Sequence, residues 1–150
     1  MNYKIKLLTI DNLDDRNGSL KYISARINRK DILFLIDTGA TRTCVNEETL
    51  ESFLNRKELK QIKEGADILG LGTSNHKSQE CIINKISFNR LIIHEFPIII
   101  TNLSDIFSAL ESASNIKLHG IIGNDFLVEH NAVIDYEKNI LKLKKEKIKK

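Results

Sequence analysis

Apolar and polar positions are laid out along this chain in short runs. Tyr3 to Ile10 alternates early and is rich in β-formers, which predicts a first strand. Beyond a polar turn region from Asp11 to Ser19, Leu20 to Ile27 reads as a second strand, Asn28-Arg29-Lys30 as a short turn, and Ile32 to Ile36 as a third strand returning antiparallel. That third run is apolar at every position, the pattern of a strand buried on both faces. Glu80 to Ile86, Leu91 to His94 and Phe96 to Ile100 predict further strands, with Asn89-Arg90 at a turn and Pro97 marking an edge or a bulge. Ala132 to Tyr136, a turn at Glu137-Lys138-Asn139, and Ile140 to Leu143 predict a closing hairpin.

Helical spacing is confined to short pieces. Asn46 is placed to cap a helix with Glu47 and Glu48 in its first turn and Leu50, Phe53 and Leu54 facing the core. A second helix is expected from a Ser104 or Asp105 cap to Glu111, burying Ile106, Phe107 and Leu110. A third opens at Asn124 or Asp125. The segment from Ile68 to Gln79, with Gly70 and Gly72 followed by polar residues, fits a mobile hairpin or lid. A phosphate-binding loop is disfavoured there because no Gly-Lys-Ser/Thr opens a helix after it.

Composition narrows the function classes. The 150 residues are one domain's worth of chain, and 41% hydrophobic with 29% charged residues is ordinary for a globular protein. The formal charge is +3, but Lys142 to Lys150 alone carries six Lys and one Glu; subtracting that +5 from +3 leaves −2 for the rest. The basic character therefore belongs to the tail, and no basic face for nucleic acid is indicated. Cys44 and Cys81 are far apart and without a C-x-x-C spacing, and no secretory leader pattern is visible, so a cytoplasmic protein with reduced thiols is expected. The apolar runs are too short for membrane insertion. His76, His94, His119 and His130 have no ligand spacing with each other or with the cysteines, so neither a metal nor any other cofactor is expected.

The chemistry is concentrated where the third strand ends. Leu33-Phe34-Leu35-Ile36 delivers Asp37-Thr38-Gly39-Ala40 into a tight turn. A carboxylate carried to the edge of an apolar region is either a paired structural group or a reactive one. Thr38 adds a hydroxyl that donates and accepts, and Gly39 lets the backbone approach closely. About eighty residues later, Leu118-His119-Gly120-Ile121-Ile122-Gly123-Asn124-Asp125-Phe126-Leu127 brackets a buried Ile-Ile pair with glycines before a helix. Each stretch occurs once.

Together and in this order, the two stretches resemble those of the retropepsin-like aspartic proteases, the single-lobed relatives of pepsin. Phe34 to Thr41 is similar to the family's catalytic-aspartate motif and His119 to Leu127 to its second motif; the resemblance spans roughly Leu20 to Leu143. It implies a mainly β domain over residues 1–143, a closed barrel or sandwich lobe with a flap hairpin and two or three short helices, followed by a basic tail, 144–150. Retroviral members usually carry an acid right after Asp-Thr-Gly-Ala and an arginine right after Ile-Ile-Gly. Here those places hold Thr41 and Asn124, and Arg42 and Asp125, one residue later in each motif, are expected to pair instead.

The resemblance implies an aspartic endopeptidase with Asp37, Thr38 and Gly39 in the catalytic loop. Ala40, Ile122 and the flap residues Leu69, Gly70, Leu71, Gly72 and Thr73 are the expected substrate contacts. Two carboxyls sharing one proton supply base and acid in one site, and a chain with a single Asp-Thr-Gly reaches that number as a homodimer acting on an extended polypeptide. Asp135 is the alternative intrachain partner, with a structural role favoured for it and for Asp125. A catalytically weak dimeric peptide-binding module of the same fold is the competing reading.

Overall fold

The computed structural model describes residues 1–11, 13, 14, 16, 18–52, 59–64 and 78–145. The segment carrying Leu69, Gly70, Leu71, Gly72 and Thr73, the end of the first predicted helix at Phe53 and Leu54, the side chain of Leu50, and the tail 146–150 lie outside the described residues. In chain order the elements are β1 (Asn2–Lys6), β2 (Leu8–Ile10), β3 (Leu20–Ile27), β4 (Lys30–Ile36), β5 (Cys44–Asn46), α1 (Glu47–Ser52), β6 (Leu59–Glu64), β7 (Gln79–Phe88), β8 (Leu91–Thr101), α2 (Ser104–Ser114), β9 (Gly120–Ile122), α3 (Asn124–Glu129), β10 (Val133–Asp135) and β11 (Ile140–Lys144).

The hairpins form where the sequence offers residues tolerant of left-handed backbone. Asn28 and Arg29, at φ 49° and 68°, make the two-residue turn between β3 and β4, and Asn89, at φ 56°, begins the turn between β7 and β8. Such turns match the right-handed twist of the strands they join. The larger sheet runs β2-β3-β4-β9-β5-β8-β7-β6, and a further pairing of β3 with β7 at Arg26 and Ser87 closes β3, β4, β9, β5, β8 and β7 into a six-stranded barrel. The mainly β, retropepsin-like barrel expected from the sequence is thus the observed architecture.

The all-apolar runs are strands with a core on each side. Along β4, Ile32 and Phe34 enter the barrel interior, whereas Leu33 and Leu35 face a second cluster outside it, under α2. Ile121 and Ile122 of β9 divide the same way, as do Ile98 and Ile99 of β8. Side chains alternate across a strand, so only a sequence apolar at every position can serve two cores. Within the barrel Phe88 joins Phe34, Phe96 and Phe126, with ring centroids 5.1–6.3 Å apart.

Several boundaries differ from the sequence pattern, each for a tertiary reason. The first predicted strand is two: at Leu7, buried and bonded through its N–H to Asn139 O at 2.8 Å, the chain leaves the small sheet β1-β11-β10 and enters the large one. Asn46, directly before α1, is the last residue of β5 and is buried, and its Oδ1 accepts the Leu103 N–H at 2.9 Å, clipping β5 to the start of α2. Helix α2 begins from Leu103 without a side-chain cap, continues to Ser114, and leaves Ile106 exposed, so only Phe107 of the predicted apolar face is fully buried. Helix α3 does open at Asn124, one of the two expected residues, with Gly123 in the cap position and no side-chain cap bond. The expected strands on either side of Glu95 are one, β8, with Pro97 opposite Ile82 and Glu95 at φ 57°. Strand β6, paired with β7, had no clear signature in the sequence.

Candidate functional site

Strands β4 and β5 are joined by residues 37–43, yet they are not neighbours. Strand β9 lies between them, parallel to β4 and antiparallel to β5. The connection must therefore cross over the end of β9, where Ile122 and Gly123 stand. That crossing produces most of the site's geometry. Asp37 N donates to Ile122 O at 3.1 Å, Asn124 N to Ala40 O at 2.8 Å, and Asp125 N to Thr41 O at 3.2 Å. A Cβ on Gly123 would stand 2.6 Å from Arg42 C and O and 3.0 Å from Ala40 O. The backbone of Gly123, φ −101° and ψ −176°, is open to any residue, so it is space that demands glycine here.

Asp37 is half-buried at the end of β4, and Thr38 and Gly39 form the exposed crest beside it. One carboxylate oxygen, Oδ1, accepts the Gly39 N–H at 2.9 Å, and Ala40 N closes the turn on Asp37 O at 3.1 Å. The Thr38 carbonyl is held from the other motif: Asn124 Nδ2 donates to it at 2.6 Å. The loop is therefore tied down by backbone and side chain before any ligand arrives, which is what a positioned reactive group needs.

Behind the crest lies a polar brace. Arg42 Nε stands 3.6 Å from Asp125 Oδ2, the pairing expected from the sequence, and Arg42 also reaches Glu80 Oε1 on β7 at 3.1 Å. Thr43, fully buried, accepts the Gly123 N–H at 3.1 Å and donates to Asp125 Oδ1 at 2.8 Å. Asp125 Oδ1 further accepts the Phe126 N–H at 2.8 Å. Next in the chain, the Cys44 thiol is pushed up to about 12, by burial first and then by the Asp125 charge, against the lowering effect of Arg42. It is a core residue and no nucleophile.

The structure brings Asp37, Thr38, Gly39, Ala40 and Ile122 together in the two motifs. It places the side chains of Ala40 and Ile122 in the core, fully buried, while their carbonyl oxygens accept the Asn124 and Asp37 N–H groups. Asp135 sits in the separate three-stranded sheet, where its Oδ1 accepts the Lys138 N–H at 2.9 Å. Among the described residues no group of three His, Cys, Asp or Glu could hold a metal ion, and no helix is long and apolar enough to cross a membrane. Sequence reasoning did not find Thr43 or the contact of Asn124. Asn124 stood out only as a departure from the retroviral motif, and Thr43 carried no signal because its partners are about eighty residues away.

The family described as aspartyl protease matches residues 23–126 of the chain, a span that includes both motifs. Two of the solved structures that are similar illustrate the likeness. One is a retropepsin-like aspartic protease from Rickettsia conorii, with 18% identity, covering 95% of this chain and 91% of that one, at a TM-score of 0.54. The other is the retroviral protease-like domain of Ddi1 from Leishmania major, with 20% identity, covering 81% and 86%, at a TM-score of 0.55. At these identities the likeness establishes the fold. Among curated proteins none matches.

Proposed function

The chain belongs to the aspartyl protease family, and from that premise we propose that it is an aspartic endopeptidase whose active site pairs Asp37 with Asp37 of a second copy. The observation that carries this reading is Asp37 itself: half-buried at the rigid end of β4, one oxygen engaged by Gly39 N–H, on an exposed crest. Asp-Thr-Gly occurs once in the chain, so two carboxyls require two chains.

Two carboxyls in close apposition do not both ionise, and the pair holds one proton. The ionised carboxyl removes a proton from a water lying between them, the water oxygen bonds to the peptide carbonyl carbon, and the carbonyl oxygen takes the proton of the other carboxyl. Collapse of the tetrahedral diol breaks the C–N bond as the amine nitrogen is protonated and the diol returns its proton to the dyad. Acid and amine leave, and one proton is again shared. The substrate is an extended polypeptide, read by strand addition. The cover over it is assigned to the segment with Leu69, Gly70, Leu71, Gly72 and Thr73; the strands flanking it, β6 and β7, are antiparallel partners with Glu64 opposite Gln79.

The test is cleavage of a diverse peptide library by wild type and Asp37→Asn across pH. Turnover is expected in the wild type and a loss of about 10³-fold or more in the variant. Equal turnover in both would overturn the reading, and peptide binding without turnover by a folded wild-type dimer would replace it with a binding module.

A further inference from the structure

The peptide unit joining Thr38 to Gly39 is gripped on both sides. Its carbonyl oxygen accepts from Asn124 Nδ2 at 2.6 Å, and its N–H donates to Asp37 Oδ1 at 2.9 Å. The C=O and N–H of a trans peptide point in opposite directions from one rigid plane. Asn124 and Asp37 are thus linked through a single planar group, although their side chains do not touch.

We propose that Asn124 is a positioning residue for Asp37, holding and polarising the Thr38–Gly39 peptide so that its N–H stays on the carboxylate. Two effects act in the same direction. Gly39 has no Cβ to resist rotation of this peptide, so an untethered plane would swing its N–H away from Asp37, and the Asn124 bond opposes that swing. A carbonyl that accepts a hydrogen bond also makes the N–H on the far side of its amide a better donor. Both keep the Gly39 N–H on Asp37 Oδ1 and so hold that carboxyl group in one orientation. Asn124 is suited to the task because it is anchored independently: its own N–H donates to Ala40 O at 2.8 Å, at the first residue of α3. From there a short carboxamide reaches Thr38 O. An aspartate in its place would offer no donor, and an arginine would have a longer stem.

The catalytic consequence rests on the proteolytic reading, whereas the coupling between Asn124 and the Gly39 amide does not, so both are measured. The full chain is compared as wild type, Asn124→Ala, Asn124→Leu, which keeps the branched outline without a donor and guards against misfolding of the alanine variant, and Asn124→Gln, which keeps the donor. The readouts are the Gly39 amide proton shift by NMR as a function of pH, and kcat, KM and the pH–rate profile on a cleaved peptide. Alanine and leucine are expected to shift the Gly39 amide upfield and flatten its pH dependence. They are also expected to lower kcat about 10-fold with KM within about 2-fold, and to alter the pH–rate profile, with glutamine recovering part of each. An unchanged Gly39 amide overturns the proposal, as does a fall in kcat with the amide and the pH profile unmoved, which marks a merely structural residue. If wild type cleaves nothing, the proteolytic reading fails alone, and the Gly39 amide still decides for or against the coupling.

Discussion

His119 is a histidine the fold needs neutral. Its Nδ1 accepts the Leu33 N–H at 3.0 Å, and its backbone N–H donates to Leu33 O at 2.8 Å, extending the β4–β9 pairing that ends at Asp37. A proton on Nδ1 would abolish the first bond. Burial lowers the His119 pKa from its ordinary 6.5, the Lys117 charge adds to that, and Glu48, ion-paired with Lys117, opposes it. The native pKa is therefore below the unfolded one, so on acidification the unfolded chain takes the proton first. No penalty exists above about pH 6.5, and stability is lost progressively below it. His119→Asn keeps an acceptor near the Nδ1 position without titrating. The melting temperature of the wild type is expected to fall more steeply than that of the variant between pH 7 and 5; parallel curves would show that this histidine does not couple to folding.

The crossing of residues 37–43 over β9 is an element-scale device, and glycine makes it possible. Gly120 lies as close as Gly123: a Cβ there would meet Cys44 O at 2.5 Å and the Phe34 ring at 2.7 Å. Both obstacles to a side chain include backbone, which does not step aside as the end of a flexible chain would. Gly123→Ala is expected to cost about 2 kcal/mol or more, lowering the melting temperature by roughly 4–8 °C, and to displace the 40–42 backbone. Calorimetry checks this, and a variant as stable as the wild type would mean that the strands separate freely. At the same scale the sequence pattern located the strands well, because a run such as Leu33-Phe34-Leu35-Ile36 has few other places to go than between two cores. It did not locate the bonds between elements. The residue that donates to the Asn46 carboxamide, Leu103, is distant in sequence and close only through the parallel pairing of β5 with β8.

At the scale of the whole molecule the proposed site is half a site, since each chain supplies one Asp37. Subunit mixing reads this directly. Random exchange between equal amounts of wild type and Asp37→Asn leaves only about half of the wild-type chains in wholly wild-type dimers, so adding the variant to a fixed amount of wild type is expected to lower activity about twofold. No effect after full exchange would contradict a shared site. What the sequence determined by itself was the mainly β class, the two motifs and the aspartate at the end of a doubly buried strand, along with the pairing of Arg42 with Asp125. All of these depend on residue type and short-range periodicity, or on a motif whose spacing is itself informative. Only the tertiary structure decided that β9 enters between β4 and β5, that Ala40 and Ile122 turn their side chains inward, and that Asn124 grips the Thr38 carbonyl. Those contacts join residues about eighty positions apart, and no local preference records them, because they follow from which strand the closing barrel places beside which.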